Sequence, residues 1–204
     1  MNKISKFSML LLLTSFILAA GKLSAQTFDD VRKAYSDFQT IKKQSLNGER
    51  PVNCFSVNQK VNYPGSGQLN STVDFWFDLK DDFESGGDSF EYVIKFASRS
   101  YTIAEKKYYE ENLYDESGNL IFLYARYYDY NDNCAREMRA YFSKNSLIKI
   151  IMKVDKLGGT NFGQEYNGTT VPAANKEDYN RFVKLSDSAK SVFKSLSSSF
   201  TNPY

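Results

Sequence analysis

Glu105, Glu110, Glu111, Asp115 and Glu116 crowd into one short segment near the middle of the chain. Two carboxylates held about 5–9 Å apart are the acid and the base or nucleophile of a glycosidase. The segment therefore holds the residue types for glycan hydrolysis. Its spacing limits that reading. Glu110 and Glu111 are neighbours in an extended stretch, so they point to opposite faces and cannot act as a pair. Cross-strand ion pairs, with Arg126 diagonal to Glu110 and Lys153 opposite Glu137, account for the same side chains without catalysis. Composition excludes several other chemistries. The chain has no histidine, which removes Ser-His-Asp and Cys-His catalysis and every imidazole zinc site. Two cysteines cannot supply a four-thiolate zinc site. Neither GxxxxGK[ST] nor GxGxxG occurs to cradle a phosphate, and no cofactor is expected.

Two loops could attract calcium. DYNDN at 129–133 places Asp129, Asn131 and Asn133 at EF-hand spacing, but Cys134 replaces the required glycine and Ala140 the closing glutamate. A hairpin turn explains it better. DLKDDFESGGD at 78–88 carries five carboxylates and reads as a solvated acidic loop. No metal site is predicted from either.

Aromatic residues offer the remaining functional candidate. The stretch YDESGNLIFLYARYYDY, residues 114–130, is apolar or aromatic on both faces of one strand. DESG suits a turn with Gly118 in the left-handed position, placing Tyr114 opposite Leu120 and Tyr108 opposite Arg126. A two-residue Asp132-Asn133 turn would set Ala125 opposite Ala140. A Lys144–Ser146 loop would set Phe142 opposite Ile148. This register gives a core face of Leu113, Ile121, Leu123, Ala125, Met138, Ala140, Phe142, Ile148, Ile150 and Met152. The other face, predicted to be wet, gathers Glu110, Glu137, Lys149 and Lys153 with a candidate binding set. That set is Tyr108, Tyr124, Arg126, Tyr128, Arg139 and Tyr141. Rings interspersed with charge suit a sugar or a protein partner. Exposed strands also favour tyrosine for packing alone.

The elements that must carry these residues are readable from period. Phe28, Val31, Tyr35, Phe38 and Ile41 recur at helical spacing after Thr27, a capping residue, and predict a helix to about Leu46. Tyr179, Phe182, Val183, Ala189, Phe193, Leu196 and Phe200 predict a second helix starting near Asn175. Between them the period is two, around Leu69–Leu79, Phe90–Phe96, Glu105–Tyr114, Asn119–Tyr130, Arg136–Ser143 and Leu147–Val154. Residues 155–174 read as a long loop. Sequential strands with short turns predict an α+β fold: a curved antiparallel meander with an N-terminal and a C-terminal helix packed on it.

The first 25 residues read as a secretory signal peptide, with Lys3 and Lys6, an apolar run from Met9 to Ala20, and LSAQ at 23–26. Cleavage would remove three of 26 basic residues, leaving 23 against 24 acidic ones. Such a balance carries no general attraction to nucleic acid, and no later segment is apolar enough to enter a membrane. A single domain from residue 26 to 204 is expected, periplasmic or secreted. In that setting Cys54 and Cys134 are expected to form a disulfide, two buried thiols being the alternative.

KKYYEENLYDESGNLIFLYARYYDY, followed by REMRAYFSKNSLIKII, resembles a pattern in small exported proteins of Bacteroidetes-type bacteria. That pattern is a Y-D-x-x-G-x-L-x-F hairpin, a charged strand and a YF-x-x-x-x-L-I strand, and the LSAQ ending is similar too. The resemblance spans about residues 106–151. It implies export and carries no functional residue with it. The sequence therefore points to a non-enzymatic binding protein for a glycan or a cell-envelope protein. The alternatives are a carboxylate-dependent glycan hydrolase and a purely structural envelope protein.

Overall fold

The computed structural model describes residues 26–65, 67–81, 90–103, 106–129, 133–156, 159 and 161–200. The predicted signal peptide, most of the DYNDN turn and most of the acidic loop lie outside them. Helix α1 is Phe28–Leu46, begun by a reciprocal capping box between Thr27 and Asp30. Eight strands follow: β1 (Asn53–Tyr63), β2 (Gly67–Asp81), β3 (Phe90–Ile103), β4 (Lys106–Tyr114), β5 (Leu120–Asp129), β6 (Cys134–Ser143), β7 (Ser146–Lys156) and β8 (Gly163–Gly168). A single 3-10 turn leads into helix α2, Lys176–Ser197. The strands form one open antiparallel sheet in the order β1 to β8. The fold is thus the α+β meander with terminal helices. It also contains two strands the periodicity did not reveal, β1 and β8, the latter inside the expected loop.

The helices lie on opposite faces of the sheet, and this resolves the two-sided strand. On one face, α2 packs Phe182 against Tyr127, and Phe193 against Phe55, Phe75 and Phe77. On the other, α1 lays Phe28 on Tyr141, Tyr35 on Phe122, and Phe38 on Phe96. Each helix therefore runs across several strands, and β5 is buried on both sides.

Three of the four bulges among the described residues set which residues reach which helix. Lys95 is the extra residue on β3, Ile121 on β5 and Ile148 on β7. Through the pairs Phe96–Leu113 and Phe122–Tyr141 they fall on one line across the sheet. A bulge puts two consecutive residues opposite one and shifts the alternation beyond it. Leu113, Ile121 and Ile148, expected with the α2-side core, accordingly pack in the α1 cluster. Leu123, Ala125, Met138, Ala140, Phe142, Ile150 and Met152 do share the core beneath α2.

The register differs in detail. Tyr114 pairs with Leu120 as expected, but past Ile121 it is Tyr109, not Tyr108, that faces Arg126. Ala125 pairs with Met138 instead of Ala140. A two-residue slip keeps every side chain on its face, whereas the one-residue shift does not. Ala140 pairs with Ile150, and the β6–β7 turn is the two residues Lys144 and Asn145, both at positive φ.

Cys54 and Cys134 do not form the expected disulfide. They sit on β1 and β6, five strand steps apart, or about 24 Å at the usual spacing. A disulfide needs Cα atoms within about 7 Å. The prediction failed because it lacked β1, the element that carries Cys54 to the edge of the sheet.

Candidate functional site

Helix α1 covers only part of its face. Directly beneath it runs the apolar row Trp76–Phe96–Leu113–Phe122–Tyr141. The next row is polar: Asp74, Ser98, Glu111, Tyr124 and Arg139, ending at Ile151. The third holds Ser100, Tyr109, Arg126, Glu137 and Lys153. Glu111, Tyr124, Arg139 and Ile151 of the second row and Tyr109 and Lys153 of the third floor a groove of about 880 Å³, with Arg32, Tyr35 and Gln39 of α1 as its wall.

The groove is organised around two carboxylates. Glu111 is buried, and its Oε2 accepts hydrogen bonds from the Tyr35 hydroxyl and from Gln39 Nε2 at 3.1 Å. Its Oε1 accepts from the Tyr109 hydroxyl at 2.5 Å and from Lys42 Nζ at 3.4 Å. Lys42 in turn lies 4.8 Å from the Trp76 ring centre, a cation–π contact within the usual reach. Burial, reinforced by Glu111, raises the Tyr35 and Tyr109 hydroxyls above the usual phenol range. Glu137 accepts from the Tyr124 hydroxyl at 2.9 Å and from Arg139 Nη2 at 3.0 Å. Burial first, then Glu137, pushes the Tyr124 hydroxyl up as well. The Arg139 guanidinium lies 5.4 Å from the Tyr124 ring centre. Arg126 donates to the Gly159 carbonyl at 3.5 Å and covers the Phe162 ring at 5.0 Å.

Of the six predicted binding residues, the structure brings Tyr124, Arg126, Arg139 and Tyr141 to this face. Tyr141 is nearly buried, under Phe28 and against Phe122. Tyr108 lies on the other face and packs with the α2 core, and Tyr128, its ring centre 6.0 Å from that of Tyr108, packs against the same cluster from the end of β5. For Tyr108 the Ile121 bulge is the reason, because it exchanges Tyr108 and Glu110 for Tyr109 and Glu111. Glu110 and Glu111 do point to opposite faces, Glu110 pairing with Arg99 at 3.8 Å under α2. Glu137 pairs across to Lys153 in register. Sequence reasoning missed the α1 wall. Tyr35 read as a core position, and Arg32 and Gln39 lie just beside that stripe.

Among the described residues the carboxylates with raised pKa, Glu110 and Asp178, are shifted mainly by burial. Neither lines the groove. Among the described residues no cluster of three or more acidic or cysteine side chains could hold a metal ion, and no helix is long and apolar enough to cross a membrane. The fold and the groove define an open antiparallel meander held between two helices, with a polar, tyrosine-rich furrow beside the first. No family model, no curated protein and no solved structure matches this chain.

Proposed function

We propose that the protein binds a polyhydroxylated ligand, a glycan of the cell envelope, in the groove beside α1. One observation carries this reading: tyrosine rings and fixed charged heads alternate along the groove floor, already held in place by Glu111 and Glu137. Sugars offer apolar ring faces and hydroxyl edges, and such a floor meets both. Pre-organised side chains lose little freedom on binding, so more of each contact appears as affinity. The export expected from the first 25 residues would put the groove in contact with envelope glycans. The Glu110-Glu111 stretch gives the hydrolase alternative no pair on one face.

A glycan array followed by calorimetric titration tests the proposal. At least one envelope-type oligosaccharide should bind. Arg139→Ala should weaken it about tenfold, the effect of losing one well-placed charged hydrogen bond. Capture of an envelope protein with no glycan binding would overturn the ligand class.

A further inference from the structure

On the α2 face a second cavity opens beside β1, β2 and β3. Its volume is about 600 Å³, within the range of small-molecule sites. Val57, Val73 and Phe75 wall it from the sheet, and Leu185, Ala189 and Val192 from the helix. The helical three recur at i, i+4 and i+7, so they make one continuous apolar strip. Val192 is 41% exposed, at the helix side of the opening.

Against this apolar wall stands one guanidinium. Arg99 shares a sheet row with Val57 and Val73, and its neighbour across β4 is Glu110. The two charges approach only to 3.8 Å, and no hydrogen bond engages the Arg99 side chain among the described residues. A guanidinium has five donors in a planar fork that matches a carboxylate. Glu110 meets that fork poorly. It is 2% exposed, and its Oε1 has no hydrogen-bond partner among the described residues.

We propose that this pocket binds an apolar carboxylate, of which a medium-chain fatty acid is the simplest case. The chain lies along Val57, Val73 and the α2 strip, and the carboxylate takes the Arg99 fork. A neutral apolar ligand would leave the fork unused. A cationic amphiphile would meet it directly. Burial raises the Glu110 pKa, against the pull of Arg99, Tyr101 and Arg181.

Dodecanoate, dodecanol and dodecyltrimethylammonium, each below its micelle concentration, separate these cases in calorimetric titrations of the intact protein. Dodecanoate should bind about tenfold more tightly than dodecanol, and the cation least. Arg99→Lys should retain part of that preference and Arg99→Met should lose it. Val192→Trp, a change at a residue 41% exposed, should fill the mouth and weaken every dodecyl probe. Equal binding of dodecanoate and dodecanol would overturn the proposal. So would no dodecanoate binding, or binding that Val192→Trp leaves unchanged.

Discussion

Glu111 is a buried charge stabilised by donors from two different elements, α1 and β4. A buried ion loses several kcal/mol of hydration unless such partners replace the water. Glu111→Ala would leave two tyrosyl hydroxyls and an ammonium without their acceptor. The expected loss is about 3–5 kcal/mol in urea unfolding, and a loss under about 1 kcal/mol would mean that the donors re-solvate through the groove. Glu110 has the opposite character. Burial raises its pKa above the ordinary 4.5, opposed by Arg99, Tyr101 and Arg181. The native state then holds its proton more tightly than the unfolded chain does. Its contribution is complete below pH 4.5 and is lost as pH rises through the folded-state value. Glu110→Gln should therefore raise Tm at pH 8 and leave it nearly unchanged at pH 4. A gain of equal size at both pH values would point to packing in place of ionisation. The cysteines give a third expectation. The unreduced, unfolded chain should take two thiol labels, and in the native protein exposed Cys54 should react well before buried Cys134. A chain that resists labelling until reduced would refute the separation of β1 from β6.

At the scale of elements, the faces of the sheet are the main correction. One face was expected to be wet, yet Tyr141 and Phe142, adjacent on β6, are both 5% exposed. Tyr141 packs with Phe28 and Phe122, whereas Phe142 packs toward Tyr179 of α2. Tyr141→Ala and Phe142→Ala should therefore cost similar amounts, about 3–5 kcal/mol each, as large-to-small core changes do. Tyr124, half-buried, should cost less. A near-neutral Tyr141→Ala in urea unfolding would restore the one-sided sheet. Both helices were legible because a 3.6-residue stripe needs only spacing, and the Asp115 turn was legible because Gly118 must sit at φ +70°. The bulges were not. Lys95, Ile121 and Ile148 look like ordinary strand residues, and only the partner strands show that each is one too many. That single extra residue at Ile121 moved Tyr108 out of the candidate site and brought Tyr109 in. Strand β8 was hidden for another reason. GQEYNG, six residues with a glycine at each end and one tyrosine, has little apolar pattern and owes its form to pairing with β7.

For the whole molecule, the sheet is a middle layer and the two helices are unequal covers. Helix α2 buries Phe182, Ser186, Ala189, Phe193 and Ser197, while α1 buries Val31 alone. The rest of α1 rests on half-buried rings and on Glu111. Local opening follows the least buried contacts first, so α1 should release before α2 and before the sheet. Its release would wet Trp76, the sole tryptophan, which lies under Phe38 and Lys42. In urea, Trp76 emission should shift to the red at lower denaturant than far-UV circular dichroism falls. Hydrogen exchange should place peptides from residues 28–46 below those from 176–197 in protection. Glu111→Ala should widen the gap between the two transitions, because it removes the polar anchor of α1 and leaves α2 untouched. Coincident transitions in both proteins would instead make the layers one cooperative unit, with the groove wall as rigid as its floor.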